Sequence, residues 1–495
     1  MRGRTKMKIE HFLEKNEVRE ITIFNQLVLN GGTLSYGKML NHLGVSKASL
    51  ENDLSSIAVR IEGFDQKVQL QYDGQTIGLS MSDDLSLQQI YRLYLDQSIK
   101  LQIITFLFKH QEFSITQLTQ KLAISESSLF RKIKELNSHL KEFGIKIRNG
   151  QMQGEELQIR YFYFQFNCYI EDKATFLAEH PDDRLTQMID AMEKFLDVTI
   201  TPENRERLKI WLIISNARVS IIDKQAKRLR TQMKAYRKDP FFHKIQVFVL
   251  RYFSRYSIEV DEVESMIHFA FLLAFPVLTE PDFHEYRLLR DRHAPIASMD
   301  TLIAETIINH FKYRRLPYML ERDMSYHLTH IHTRLYFFQG DIEIYEYEGS
   351  IAKEKQIVGT NVVSFARTLL KTSTKTLADK TGENNSLLKM ELLKYISLLI
   401  LITFKMASVI QVGIDLKMDG LYKETLGELL ILKLKPIKGV RVEHYDPTKI
   451  YDLVLTNEEP KDQANYDDAR IYILSEILSS FDMVNIQRII QELNK

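Results

Sequence analysis

The sequence predicts a mainly α-helical, multidomain protein. Two winged helix-turn-helix domains come first, a long helical middle follows, and an α/β domain closes the chain. Three observations lead there. A helix-turn-helix pattern occurs twice in the first third. Leu, Ile, Lys, Glu and Gln recur at helical spacing through most of the stretch from Asn16 to Phe404. After Lys405 that texture gives way to short apolar runs alternating with amphipathic ones.

The duplication is the strongest of the three. Leu43–Ile57, LGVSKASLENDLSSI, aligns at a constant offset with Leu122–Leu136, LAISESSLFRKIKEL. In each copy a short helix (Ser35–Leu43; Ile115–Leu122) ends in a turn at a small residue, Gly44 or Ala123. Ser46 or Ser125 then N-caps a second helix. That helix is expected to bury Leu50, Leu54 and Ile57 in the first copy, and Leu129, Ile133 and Leu136 in the second. Its first-turn polar residues are left to face outward, as in a helix that offers its N-terminal side chains to base edges.

A hairpin signal follows each copy. Val68–Leu79 alternates apolar and polar residues around Asp73-Gly74, a pair that predicts a type I′ turn. Ile145–Ile159 carries Asn149-Gly150 and Gly154. A hairpin after such a helix reads as a wing, and one helix over Leu85–His110 is expected to join the two units.

These elements supply the candidate contacts to double-stranded DNA. The first copy offers Ser46, Lys47, Ser49, Asn52 and Arg60, offset by Glu51 and Asp53. The second offers Ser125, Ser127, Ser128, Arg131, Lys132 and Lys134, with Lys146, Arg148 and Arg160 assigned to its wing. Phosphate contacts supply much of the affinity of DNA complexes, so the second copy is expected to be the stronger anchor. The N-terminal Arg2, Arg4, Lys6 and Lys8 are further candidates for phosphate or minor-groove contacts.

Composition narrows the classes. The 495 residues are 44% hydrophobic and 26% charged, with a net charge of +1, as in an ordinary globular chain. A neutral total is compatible with nucleic-acid binding when cations gather on one element. The single cysteine, Cys168, excludes an internal disulfide framework and a cysteine-rich zinc site, and suits a reducing cytoplasm. The basic start lacks the apolar run of a secretory signal. The greasiest run, Tyr395–Phe404, falls short of the ~20 residues that cross a bilayer, so no membrane association is expected. With ten prolines and no Gly/Ser-rich linker, the domains must be joined by helices or tight turns.

The stretch ISESSLFRKIKELNSHLKEFGIKIRNGQMQGEELQIRYFYFQF resembles the second helix-turn-helix and wing of the Mga/RofA-like transcription regulators of Gram-positive cocci, and the order of segments is similar throughout the chain. The resemblance implies winged helices at 1–84 and 85–165, phosphotransferase-system regulation domains (PRDs) at 166–285 and 286–404, and a domain like the EIIB subunit of that sugar-transport system at 405–495. It also implies a homodimer or higher oligomer, and a phosphocarrier protein as a partner.

Two regions share an L-x5-R pattern, WLIISNAR at Trp211–Arg218 and HLTHIHTR at His327–Arg334. The second resembles the PRD motif whose histidine accepts a phosphoryl group, which makes His327 a candidate acceptor. Trp211 fills that place in the first copy, where His268 matches a later family histidine instead; the matching residue of the second copy is Ser397. An acceptor needs an exposed ring nitrogen and nearby cations, and Arg334 and Arg218 are the candidates by helical spacing. The bland reading of His327, His330 and His332 is a polar or packed helix face, and their spacing does not favour a metal site.

After Lys405, strands are expected at Met406–Val412, Val440–His444, Tyr451–Thr456 and Arg470–Leu474, with helices at Leu421–Leu432 and Met483–Leu493. Val412-Gly413-Ile414 fills the place where the resemblance implies an EIIB cysteine, so this domain is expected to serve association rather than phosphotransfer. No Gly-rich phosphate loop and no nucleophile–base spacing stands out, so neither an enzyme nor a cofactor is expected. Two other readings remain open, a PRD-type RNA-binding antiterminator and a phosphotransferase-system carrier. The first would begin with a small β-rich RNA domain; the second would need the missing cysteine.

Overall fold

Serines set the starts of the N-terminal helices. In the computed structural model, Ser35 accepts from the Lys38 amide to begin α2 (Tyr36–Leu43), and Ser46 accepts from Ser49 to begin α3 (Lys47–Ile61). Ser114 and Ser125 do the same for α6 (Ile115–Leu122) and α7 (Glu126–Leu140). The structure describes all residues except 1–6, 65–66, 171–172, 222–224, 256–258, 313–315, 344–359, 378–385, 407–409, 438–439, 460–465, 467–468, 476–478 and 494–495. Arg2, Arg4 and Lys6 therefore lie outside the described residues.

The first helix-turn-helix is built on α1 (Lys15–Leu29), which buries Ile21, Phe24 and Leu27 against its neighbours. Gly44, at φ 63°, turns α2 into α3. Strands β2 (Thr33–Ser35), β3 (Val68–Tyr72) and β4 (Thr76–Met81) form an antiparallel sheet in the order β2-β4-β3. The β3–β4 turn differs from the expected type I′. Only Gly74 (φ 91°) enters the left-handed region, whereas type I′ needs both central residues there. Asp73 instead folds its carboxylate onto the Thr76 and Gln75 amides, which hold it below the usual carboxylate range.

The expected single helix over Leu85–His110 is two, α4 (Leu87–Asp96) and α5 (Ile99–His110). Ser98 causes the break: its oxygen accepts from Leu101 to start α5, and its hydroxyl donates to the Phe12 carbonyl (2.5 Å). Helix α5 is thus the first helix of the second helix-turn-helix domain, not a connector. The α6–α7 turn places Ala123 at φ 52°. Strands β5 (Lys146–Arg148) and β6 (Gln151–Gln153) pair through Asn149 and Gly150, both at positive φ, as a type I′ turn requires, so the expected second hairpin is present. A Cβ on Gly150 would lie 2.0 Å from the Phe113 carbonyl oxygen, so glycine is required for closeness as well as for φ.

Two compact units emerge, Met1–Tyr313 with Arg322–Tyr395, and Arg314–Glu321 with Ile396–Lys495. In the first, helices α8 (Glu156–Tyr169), α9 (Lys173–Glu179), α10 (Asp183–Leu196), α11 (Pro202–Arg218), α12 (Lys227–Gln232), α13 (Pro240–Ser254), α14 (Glu262–Ala274), α15 (Glu280–Leu289) and α16 (Pro295–His310) continue from the second wing. Helix α17 (Tyr318–Phe337), β1 (Met7–Lys8) paired with β7 (Ile342–Glu343), α18 (Thr360–Leu377) and α19 (Ser386–Met406) complete the described helical region. Helix α8 is buried on nearly all sides, so Arg160 is no wing residue. It lies at 0% exposure, paired with Glu156 and Glu264.

The second unit carries a parallel sheet in the order β9-β8-β10-β11, from β8 (Ile410–Asp415), β9 (Val440–His444), β10 (Leu453–Thr456) and β11 (Arg470–Ile473). Helices α20 (Gly420–Leu434) and α21 (Ser480–Leu493) place Leu430, Leu434, Ile486 and Ile490 in one core with Val412, Ile414, Leu453 and Leu455. Strand β8 starts later than expected because α19 runs on to Met406. Val412-Gly413-Ile414 therefore lies inside the strand, whose end is Asp415; that position too lacks a cysteine.

Candidate nucleic-acid interface

Helix α7 divides its side chains cleanly. Leu129, Leu136 and Leu140 are buried, Ile133 is half-buried, and Ser127, Arg131 and Lys134 are exposed. Ser125 is exposed at the cap, and Ser128, whose amide the cap receives, is half-buried. Strand β5 adds Lys146 and Arg148, both exposed on either side of buried Ile147. Asn137 joins the two elements. Its side chain accepts from the Ile147 amide (2.6 Å) and donates to the Ile147 carbonyl (2.9 Å), so the wing's cations are held in a fixed place beside α7. Nothing in the spacing of the sequence marks Asn137, because its partner lies on another element.

Lys132 departs from expectation. It is only 4% exposed and pairs with Glu14 at the start of α1. Helical geometry explains this: residue 132 lies between the buried rows of 129 and 136 rather than beside 131 and 134. Asp53 holds the same place in the first copy, is equally buried, and takes a two-pronged bond from Arg19 of α1, each arm 2.8 Å. Both copies thus use this position to tie the second helix of the motif to α1 or its cap, with the charges exchanged.

The first copy keeps fewer free cations. Ser46, Lys47 and Asn52 are exposed on α3 and Ser49 is half-buried, but Glu51 is exposed among them. Arg60 is spent on Glu17 and Glu20 and lies over the Tyr94 ring, so it leaves the candidate list. Exposed positive charge gathers on α7 and β5, with Arg131, Lys134, Lys146 and Arg148.

The candidate phosphoryl acceptors sit in unlike surroundings. His327 is exposed on α17. Arg334, expected to assist it, is 7% exposed and committed to Asp341, to Glu391 (3.0 Å) and to the Tyr161 hydroxyl (3.1 Å). Arg218 is likewise committed, in two bonds to Glu156 of 2.8 and 2.9 Å. The arginine of each L-x5-R pattern therefore anchors its helix. His268 is 1% exposed and its Nδ1 accepts from Trp211 at 3.1 Å. Burial pushes its imidazole down to about 4. A phosphoryl group would reach it only after the packing around Trp211 opened.

His332 is buried, with Asp300 at 2.5 Å on Nδ1 and the Tyr395 hydroxyl at 2.7 Å on Nε2. Ser373 stands 3.4 Å from Nε2, which completes a Ser-His-Asp order, but all three residues are buried and Tyr395 also bonds Ser373 at 2.6 Å. Burial opposes ionisation of Asp300, yet Arg290 and the bonds from His332 and Thr329 hold its carboxyl below the usual range. The set satisfies buried polar groups and gives a substrate no approach. No group of His, Cys, Asp and Glu suited to a metal ion occurs among the described residues, and no described helix is long and apolar enough to cross a membrane.

Residues 83–167, which hold α4 to α7, the second wing and most of α8, match the family described as the Mga helix-turn-helix domain. A protein of Streptococcus pneumoniae serotype 4, described as a trans-acting regulator, is 23% identical over 216 residues. That alignment covers 42% of this chain and 42% of the relative, under half the length of each. The chain thus carries, at 83–167, a region similar to the Mga helix-turn-helix domain, and over under half its length it is similar to a protein described as a trans-acting regulator.

Proposed function

We propose that the protein is a DNA-binding transcription regulator that grips duplex DNA with α7 and the second wing, aided by the exposed end of α3. The observation that carries this is the joined presentation of Arg131 and Lys134 on α7 with Lys146 and Arg148 on β5, locked by Asn137. Recognition helices lie in the major groove while wings and flanking cations meet phosphates, and this arrangement supplies both. Gel-shift titrations of duplex DNA and of single-stranded RNA, each over a salt series, test it. Duplex should bind more tightly, with an affinity that falls steeply as salt rises. Preference for the RNA would favour the antiterminator reading.

The regulatory half of the proposal takes 166–285 and 286–404 as PRD-like bundles and 405–495 as an EIIB-like association domain. The exposure of His327 supports it as the acceptor of a phosphoryl group from a phosphocarrier protein; the burial of His268 makes that residue the weaker candidate. Association is supported by α20, which leaves Leu421 and Leu432 73% and 63% exposed. Incubation with the phosphotransferase proteins and phosphoenolpyruvate should label His327, and His327→Ala should remove most of the label. A phosphoryl group adds close to two negative charges, so His327→Asp should shift the sedimentation profile or the DNA affinity. Absence of phosphohistidine, or an Asp variant that changes neither, overturns this half and leaves the DNA-binding half standing.

A further inference from the structure

Phe130 is the one large apolar side chain of α7 that the fold leaves open, at 52% exposure. Its neighbours on the helix surface are Ser127 one turn before and Lys134 one turn after, both exposed, with Arg131 beside it. It sits in the second turn of the helix, within the stretch that recognition helices present to base edges. The same place in α3 is held by Glu51, so the two copies differ here in kind. An exposed phenylalanine costs solubility and gains the core nothing. Its surroundings select its occupant. Arg131 and Lys134 adjoin it and Lys146 and Arg148 project from the attached wing, against two nearby carboxylates, Glu126 and Glu135, the second already paired with Lys100 at 3.0 Å. That charge suits a polyanion.

We propose that Phe130 is a base-reading residue, whose ring packs on thymine 5-methyl groups in the major groove. This rests on the DNA-binding reading above and adds a specificity to it. In the major groove the methyl group is the apolar feature that distinguishes thymine, and phenylalanine is among the side chains that meet it. The remaining exposed residues at the start of α7 are serines and a glutamate, which leaves Phe130 and Arg131 to carry most of the discrimination on this helix. The preferred site then contains thymines about one helical turn or less from the phosphates that Lys134 and the wing engage.

The test uses the full-length protein and the best-bound duplex selected from a random-sequence pool, synthesised once with thymine and once with uracil throughout, which removes only the methyl groups. The native protein should bind the thymine duplex more tightly, by roughly fourfold for each methyl group that the ring covers, the worth of one buried methyl-sized group. Phe130→Ala should lose roughly tenfold affinity for the thymine duplex. It should bind the two duplexes alike, with its salt dependence unchanged because no charge is removed. Phe130→Leu, which keeps an apolar tip, should retain part of the thymine preference. An unchanged thymine-to-uracil ratio in Phe130→Ala overturns the proposal while binding itself persists. A changed oligomeric state with that same ratio overturns it in favour of a contact between copies. Failure of the native protein to bind any duplex in the pool overturns the DNA-binding reading and this one with it.

Discussion

Arg160→Met should lower stability by about 3–5 kcal/mol, the usual cost of removing one partner from a buried ion pair. The side chain is fully enclosed, donating from Nη1 and Nη2 to the two Glu264 oxygens at 2.7 Å each and from Nε to Glu156 at 2.9 Å. Glu156 in turn receives Arg218. The four charges cancel, and each carboxylate has a guanidinium. Methionine fills much of the arginine's volume but leaves Glu264 buried without its counter-ion. The double variant Arg160→Met with Glu264→Met removes both charges and should recover most of the loss, since apolar residues of similar volume often replace buried pairs at little cost. Urea midpoints with unchanged slopes would report this directly. A single variant as stable as the double would show that the network carries no such weight. The network also makes a statement about acid. Burial opposes ionisation of Glu156, but Arg160 and Arg218 hold its carboxyl below the ordinary value. Its contribution is therefore present at neutral pH and lost as pH falls through its folded value, beneath the usual carboxylate range.

The features that sequence made legible are those governed by local spacing. Ser46 and Ser125 cap their helices, Asn149-Gly150 makes its turn, and β9 runs over Val440–His444 as the alternation indicates. Each depends on residues a few positions apart. What escaped depends on distant partners. Lys132 and Arg160 look like surface cations in the sequence, yet Glu14 and Glu264, 118 and 104 positions away, draw them inside. The Leu85–His110 periodicity runs across two helices because the Phe12 carbonyl that fixes the Ser98 break lies 86 positions away. Arg334 shares a helix face with His327 by spacing, but Asp341 and Glu391 hold it in the core. The β3–β4 turn failed more narrowly: an Asp-Gly pair allows type I′, but Asp73 gains two amide bonds in another turn.

These burials change which cations should matter on DNA. The combined variant Arg131→Ala, Lys134→Ala, Lys146→Ala and Arg148→Ala should abolish most binding at moderate salt. The slope of log affinity against log salt should become shallower by roughly one for each phosphate that the variant no longer neutralises. Anisotropy titrations of one duplex across a salt series measure both effects. Lys132→Ala should behave differently. Its ammonium is enclosed against Glu14 and touches no solvent-facing surface of α7, so its loss should lower the unfolding midpoint and leave the slope of the folded fraction unchanged. Lys47→Ala with Asn52→Ala on α3 should cost less than the α7 and wing variant, because only one cation is removed and Glu51 already offsets it. A slope that flattens as much for Lys132→Ala as for Arg131→Ala would mean that α7 turns a different face to DNA. Equal losses from the α3 pair and the α7–wing set would mean instead that the two helix-turn-helix units share the load, despite the unequal charge they expose.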